Sequence, residues 1–149
     1  MRRRDRLSGR RRFAAVRAER ISAGSGALRV HLAPNGLDHP RLGFAIPKGV
    51  GGAVVRNTVR RRLRAALQPR RPELDGFDVV VRVRAEAAGQ AFAELDADLG
   101  RCLERALPAA RARAHRDAAG TDGAEGRRLA DNGTITSSGP RRTPAPSPV

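Results

Sequence analysis

The sequence predicts one α+β domain followed by a tail, and three observations support this. Residues 50–68 contain a strongly basic amphipathic helix, with glycines before it and Pro69 after it. Strand-like segments, alternating or rich in β-branched residues, lie on both sides of that helix. From residue 109 onward the periodicity ends and large apolar residues almost disappear. The order helix, two or three strands, basic helix, strand, helix is typical of a domain whose helices cover one sheet.

The basic helix has one apolar stripe and one cationic surface. At about 100° per residue, the predicted core stripe consists of Val55, Val59, Leu63, Ala66 and Leu67. The predicted far side carries Asn57, Arg60, Arg61 and Arg64, with Arg56 and Arg62 at the two edges of the stripe. No acid occurs between Arg56 and Gln68, although like charges weaken a helix. We therefore expect this surface to bind an external anion, and forked guanidiniums suit phosphate oxygens.

Residues 1–47 predict a short helix and two or three strands. Phe13 lies in the first helix and is interpreted either as a core anchor or as the floor of a cleft. Residues 21–26 suggest a brief strand and turn, and residues 27–32 alternate as a half-buried strand. Residues 34–36 predict a turn or a hairpin loop, and residues 41–47 predict the partner strand of residues 27–32. Gly43 and Ala45 leave room on one face of that strand for something to lie close to the sheet.

Residues 77–107 complete the predicted domain. The run F-D-V-V-V-R-V at 77–83 predicts a largely buried strand. Residues 90–107 predict an amphipathic helix whose apolar stripe includes Phe92 and Cys102, and the cysteine is interpreted as a buried small hydrophobe. The predicted boundaries are a folded domain at 1–108 and a disordered tail at 109–149, rich in Arg, Gly, Pro, Ser and Ala.

Composition narrows the class of protein. The 149 residues carry a net charge of +15, with a pI near 11.8, which favours a nucleic-acid partner over an anionic membrane. One cysteine excludes an intrachain disulfide, and no apolar run approaches the roughly 20 residues of a membrane span. We expect a cytoplasmic protein.

Side chains for independent catalysis are not grouped in the sequence. The histidines, His31, His39 and His115, are scattered, and no Cys/His spacing indicates zinc. We predict no catalytic residue and no metal ligand, and expect the protein to position the chemistry of a partner.

Several stretches, in order, resemble the protein subunit of bacterial ribonuclease P. They are D-R-L-S-G-R-R-R-F-A-A-V (5–16), R-L-G-F-A-I-P-K-G-V-G-G-A-V-V-R-N-T-V-R-R-R-L-R (41–64), F-D-V-V-V-R-V-R (77–84) and F-A-E-L-D-A-D-L (92–99). The resemblance covers residues 5–107. It implies a two-layer α+β sandwich of order αβββαβα with a left-handed βαβ crossover, like domain 2 of a ribosomal protein.

The resemblance also implies a function and partners. Members of that family bind a catalytic RNA and the 5′ leader of precursor tRNA. The RNA cleaves the substrate with Mg²⁺, and the protein alone binds no cofactor. The implied protein is thus a component of an endoribonuclease that removes tRNA leaders, with neither membrane nor DNA as a partner.

Residue roles follow from the resemblance position by position. The implied RNA-binding set is Lys48, Arg56, Asn57, Arg60, Arg61, Arg62 and Arg64, of which Arg62 is additional to many members. The implied leader-binding cleft contains Phe13, Arg12 and His31. The chain departs from the family pattern at Thr58, where a basic residue is usual, and at Pro47 and Gly49, where Ser and Lys are usual; these changes weaken the inference there.

Three other functions compete with this one. A ribosomal or ribosome-assembly RNA-binding protein without an enzymatic role would also explain the charge and fold class, and it ranks second. A DNA-binding protein would need a helix-turn-helix partner or a dimer element. A membrane-surface helix fits poorly with the β-rich surroundings.

Overall fold

The computed structural model describes the backbone of residues 2–142 and the side chains of residues 2–120. The helices are α1 (Arg10–Ala18), α2 (Ala53–Leu67), α3 (Arg71–Leu74) and α4 (Phe92–Arg142). The strands are β1 (Ile21–Ser25), β2 (Leu28–Pro34), β3 (Arg41–Ala45) and β4 (Phe77–Val83). Apart from the short α3, the order αβββαβα is as predicted. In the described part of the chain, no helix combines the length and apolar character needed to cross a membrane.

The four strands form one mixed sheet in the order β1-β2-β4-β3. β1 and β2 form an antiparallel hairpin that turns at Gly26, whose φ of 56° favours glycine. β4 pairs antiparallel with β2 and parallel with β3. The prediction that β3 pairs with β2 was therefore wrong. β4, the most continuously apolar strand, takes the central place between them because it is buried on both faces.

One face of the sheet, which we call the core face, packs against α2 and α4. Alternation places Val79, Val81 and Val83 of β4 on this face, and all three are at most 2% exposed. On the helices, the buried apolar residues are Val59, Leu63, Ala66 and Leu67 of α2, and Leu95, Leu99, Cys102, Leu103, Ala106, Leu107 and Ala110 of α4. Most of the predicted helix stripes are therefore correct.

Two residues of the predicted core remain partly outside it. Val55 is 38% exposed and Phe92 is 44% exposed. Each lies in the first turn of its helix, and the buried apolar residues begin only at Val59 of α2 and at Leu95 of α4. The periodicity identified the correct stripe but could not show where along the helix contact begins.

The second face, which we call the groove face, is covered only in part, by α1. Val16 of α1 joins a small cluster with Leu7, Ala33 and Val80, and Val80 alternates with the core-face valines of β4. Helices thus lie on both faces, which differs from the predicted two-layer sandwich. The reason is that Val80 and Ala33 offer apolar surface on the groove face, and α1 buries it.

Polar contacts fix the ends of the domain. Leu7 N–H donates to Leu42 O at 2.8 Å, so the N-terminal segment runs beside β3. The Asp5 carboxylate is 2.9 Å from the Arg71 guanidinium of α3. At the other end, Asp98 of α4 accepts a hydrogen bond from Ser25 Oγ at 3.0 Å.

The predicted tail begins inside α4. The compact unit runs from Met1 to Ala112, close to the predicted boundary after residue 108, and Ala110 is still fully buried. The helical backbone continues to Arg142, because helix hydrogen bonds are local and do not require a core. The residues at 111–120 are exposed or half-buried. Residues 143–149 lie outside the described part, and disorder of the tail stays a prediction.

Candidate nucleic-acid interface

The basic helix presents its arginines along two flanks rather than one far side. Arg60 and Arg64 are half-buried and line a groove of 270 Å³ beside β3. Arg62 lies on the opposite flank, where it donates to the Gln90 carbonyl at 3.0 Å. Arg61 lies between the flanks and is exposed.

Local contacts hold the groove-side arginines in place. Arg60 donates to Asn57 Oδ1 at 2.7 Å, which orients its guanidinium. The Arg64 guanidinium carbon lies 5.9 Å from the centre of the Phe44 ring, a cation–π distance. In the described part of the chain, the Nε atoms of Arg56 and Arg64 are buried without a hydrogen-bond partner. These cations are positioned by the fold but not neutralised by it.

The loop before α2 adds a further cation. Lys48 is exposed and begins a short 3-10 turn, Lys48–Val50. Gly52 is the N-cap residue of α2 and makes no side-chain cap. The first N–H groups of the helix therefore receive no side-chain hydrogen bond from that position. A helix start of this kind favours anions.

Phe13 of α1 lies directly over Gly43 of β3. A Cβ at position 43 would be 2.6 Å from Phe13 Cε1, so only glycine permits this approach. The ring also packs against the cluster of Leu7, Val16, Ala33 and Val80. The room predicted beside Gly43 exists, and the chain fills it with its own phenylalanine.

The same phenylalanine also borders open space, so both interpretations of Phe13 apply. It lines the groove beside β3 together with Arg60 and Arg64. It also lines a second groove of 340 Å³ between α1 and the sheet. The other residues of this α1–sheet groove are Arg10, Ala14, Arg17, Ala45, Val80 and Arg82. The two grooves therefore meet at one aromatic ring.

Two of the residues assigned to the cleft from the sequence have different surroundings. His31 is 9% exposed, and within the described chain neither ring nitrogen has a partner. Burial, with the charges of Arg29, Arg17 and Arg82, holds the pKa of His31 below its ordinary value, so its imidazole is neutral at pH 7. Arg12 is exposed on α1 and is not part of the groove lining.

Sequence reasoning missed Arg10, Arg17 and Arg82. The first two follow the helical spacing of Phe13 and Ala14, since positions 10, 13, 14 and 17 share one face. Arg82 is the exposed residue in an otherwise buried strand. Both signals were present in the sequence, but they acquire meaning only once α1 is placed over β4.

The described residues offer binding chemistry rather than bond-breaking chemistry. Within that part of the chain, no group of three or more His, Cys, Asp and Glu side chains is placed to hold a metal ion. Burial and the charge of Asp98 raise the pKa of the Cys102 thiol, so it is a protonated core residue at pH 7. What remains is an arrangement of guanidiniums, the aromatic rings of Phe13 and Phe44 and one neutral imidazole, suited to phosphates and bases.

Comparisons with known proteins all lead to one family. A family model described as Ribonuclease P matches residues 1–107. The ribonuclease P protein component of Roseiflexus sp. (strain RS-1) is 37% identical over 108 residues, covering 71% of this chain and 88% of that protein. The one from Streptomyces griseus is 42% identical over 113 residues, covering 69% and 92%.

Solved structures show the same fold. The ribonuclease P protein of Thermotoga maritima, in complex with 1-(4-fluorophenyl)-2-thiourea, has a TM-score of 0.59 and 29% identity, covering 64% of this chain and 94% of that chain. A Staphylococcus aureus RNase P protein mutant with defective mRNA degradation activity has a TM-score of 0.63, covering 68% and 86%; at 24% identity it bears on the fold alone.

Proposed function

Because the chain belongs to the ribonuclease P protein family and is a protein subunit of that tRNA-processing endoribonuclease, we propose that α2 binds the catalytic RNA while the α1–sheet groove holds the 5′ leader of precursor tRNA. One observation carries this assignment. Phe13 lines both the groove with the α2 arginines and the groove under α1. A single strand leaving the RNA-bound face can therefore enter the second groove directly.

The proposed RNA-binding set is the one expected from the sequence: Lys48, Arg56, Asn57, Arg60, Arg61, Arg62 and Arg64. Support is strongest for Arg60 and Arg64, whose guanidiniums are held in place beside an open groove. Arg62 uses one donor on Gln90, and the other donors of its guanidinium remain for phosphate. Contacts of this kind give affinity and position without reading sequence.

The proposed leader-binding cleft contains Phe13, His31 and Arg12. Phe13 offers a ring on which a base can stack. His31, neutral and without partners for either ring nitrogen in the described chain, supplies one donor and one acceptor once α1 shifts enough to admit a nucleotide. Arg12 extends from the exposed side of α1 and adds positive charge at the margin of the cleft.

Cleavage itself belongs in this proposal to the RNA and its Mg²⁺, in the cytoplasm. Among the described residues, no group of three or more His, Cys, Asp and Glu side chains could hold a magnesium ion of the protein's own. The finer details of fold implied by the family are proposed with the function: a left-handed β3-α2-β4 crossover and likeness to ribosomal protein domain 2. The parallel pairing of β3 with β4 across α2 is compatible with that crossover.

The direct test is cleavage of precursor tRNA by the same organism's ribonuclease P RNA at limiting Mg²⁺, with and without the protein. We expect strong stimulation for a substrate with a 5′ leader and much weaker stimulation for one with a single-nucleotide leader. A folded protein that leaves an active RNA unstimulated would favour the ribosomal or assembly alternative instead.

A second experiment tests the α2 face. Arg60→Gln with Arg64→Gln should weaken binding to the catalytic RNA and reduce the slope of log K against log salt by about 2, because the variant neutralises two fewer phosphates. The matched control is Arg111→Gln with Arg116→Gln, which removes the same charge from exposed positions of α4. Equal slopes for both double variants would show that the groove arginines are ordinary solvated surface.

A further inference from the structure

The first turn of α4 exposes an aromatic ring close to the basic helix. Phe92 is 44% exposed, which makes it the most exposed of the four phenylalanines of the chain. Phe77 lies in the core, and Phe13 and Phe44 are half-buried where they line the groove beside β3. Single exposed apolar side chains are common on protein surfaces, so the surroundings of Phe92 decide whether it has a role.

Two contacts place Phe92 on the side of α4 that faces α2. Arg62 of α2 donates to the Gln90 carbonyl at 3.0 Å. Arg70, three residues after the end of α2, pairs with Asp96 at 2.6 Å. Phe92 follows Gln90 by two residues and precedes Asp96 by one helical turn, so it shares a face of α4 with Asp96. The ring therefore lies where α2 and α4 meet at the surface, a place that we call the α2–α4 seam.

The cations beside the α2–α4 seam are not neutralised by the fold. Arg61 is exposed and Arg62 is half-buried, and in the described part of the chain no acid lies within ion-pair distance of either one. Glu94 is the acid nearest to Phe92 in sequence, but two positions along a helix turn it to the opposite side of α4. There it lines a depression together with Gly26. The charge beside the ring is therefore positive.

Gln90 and Arg62 leave hydrogen-bonding groups unused at the seam. The Gln90 Oε1 atom is buried and has no hydrogen-bond partner in the described chain. Arg62 uses one N–H on the Gln90 carbonyl, and the other N–H groups of the guanidinium remain as donors. An exposed ring beside such donors is suited to an unpaired nucleotide, because the base stacks on the ring and the phosphate binds the cation.

The opposite flank of α2 has the same combination of groups. There Arg60 and Arg64 line a groove with the rings of Phe13 and Phe44, and Arg64 lies at a cation–π distance from Phe44. The helix thus carries guanidiniums next to an aromatic ring on both flanks. A partner that uses this combination on one flank finds it again on the other.

We propose that Phe92 and Arg62 form a second contact with the catalytic RNA, in which an unpaired base stacks on the ring and a phosphate binds the guanidinium. The inference rests on the proposed function of α2, because it extends the RNA-bound surface from that helix across the seam to α4. The positive charge around the ring favours a nucleic acid over an apolar peptide. The contact is independent of the 5′ leader, since it lies on the flank of α2 away from the grooves at Phe13.

The first test uses fluorescence. The chain contains neither Trp nor Tyr, so Phe92→Trp introduces its only indole. We expect the catalytic RNA to quench the fluorescence of this indole, because a base stacks directly on it. The matched control is Leu37→Trp, since Leu37 is 40% exposed and lies beside Gly76, at the opposite end of β4 from α4. The indole of the control should keep its fluorescence when the RNA is added.

The second test measures affinity for the catalytic RNA without substrate. Phe92→Leu keeps an apolar side chain at the seam and should not lower the melting temperature. It should nevertheless bind the RNA at least about fivefold more weakly, which is the lower limit for the loss of one stacked base. Phe92→Trp should retain the wild-type affinity, because it keeps a ring. Leu37→Ala should change neither the affinity nor its dependence on salt.

Either an unquenched indole at position 92 or wild-type affinity of Phe92→Leu would refute the Phe92 contact. The proposed function of α2 would survive that result if Arg60→Gln with Arg64→Gln still weakened binding. Quenching that appears without RNA as the protein concentration rises would overturn the proposal in favour of a contact between copies of this chain. A folded wild type that does not bind the catalytic RNA would refute both this inference and the proposed function.

Discussion

The two faces of the sheet are built from alternate residues of the same strands, yet they differ in charge and in how completely helices cover them. The core face carries Val79, Val81 and Val83 under two helices, and it is closed. The groove face carries Val80, Arg82 and His31 under the nine-residue α1, and it is open on both sides of Phe13. The contrast teaches that one face stabilises the domain, while the other is left incomplete where binding is proposed.

The groove face contains two features that destabilise the folded protein. It contains the buried imidazole of His31, whose ring nitrogens have no partner in the described chain. It also contains two arginines, Arg29 and Arg82, that are direct partners on neighbouring strands. Neither feature would persist if the face served stability alone, since both raise the free energy of the folded state. Substitutions on the two faces should therefore separate stability from binding.

The largest expected effect is on the core face. Leu63→Ala should lower the free energy of unfolding by roughly 2–5 kcal/mol, because it leaves a cavity at a side chain that is 0% exposed. Urea unfolding measures the change. Arg61→Ala, on the exposed side of the same helix, should stay within about 0.5 kcal/mol of the wild type. Similar decreases in the free energy of unfolding for both variants would contradict the conclusion that the core face stabilises the domain.

An intermediate effect is expected where α1 meets the sheet. Gly43→Ala should destabilise by about 1–3 kcal/mol, because the new Cβ would lie 2.6 Å from Phe13 and 3.2 Å from the Leu7 carbonyl oxygen. The destabilisation should shrink when Phe13→Ala is already present, and a double-mutant cycle measures that coupling. Strictly additive effects would show that the ring does not impose glycine at position 43.

The smallest effect concerns pH. Because the pKa of His31 is lowered in the folded state, the unfolded chain takes up a proton first as pH falls through about 6.5. The wild type should therefore lose stability below that pH relative to His31→Phe, which lacks the group. At pH 7.5 the variant should be at least as stable but bind the leader less tightly. Unfolding measured at pH 7.5 and 5.5 gives the comparison; parallel changes in the two proteins would contradict it.

The sequence was sufficient for the elements because their signals are local. The apolar periodicity of α2 and the β-branched run of β4 identified both elements and most of their buried residues. The pairing of β3 could not be predicted from the sequence, because it depends on β4 lying between β2 and β3 in the sheet. The groove was missed for the same reason: Arg10, Arg17 and Arg82 converge only after α1 is placed over β4. The resemblance implied roles for Phe13 and the α2 arginines. Only the structure shows that the Phe13 ring lines both grooves.

The N-terminal segment beside β3 has a consequence for the protein in crowded solution. β3 ends the sheet, and an uncovered edge strand is a template for pairing with other chains. Arg6 forms a parallel bridge with Leu42, and the Leu7 N–H occupies the Leu42 carbonyl, so the segment shields part of that edge. The positive charges around it, Arg2, Arg3, Arg4 and Arg6, further repel a second copy. Removal of residues 1–7 should thus uncover this edge of β3 and increase self-association of the protein through that strand.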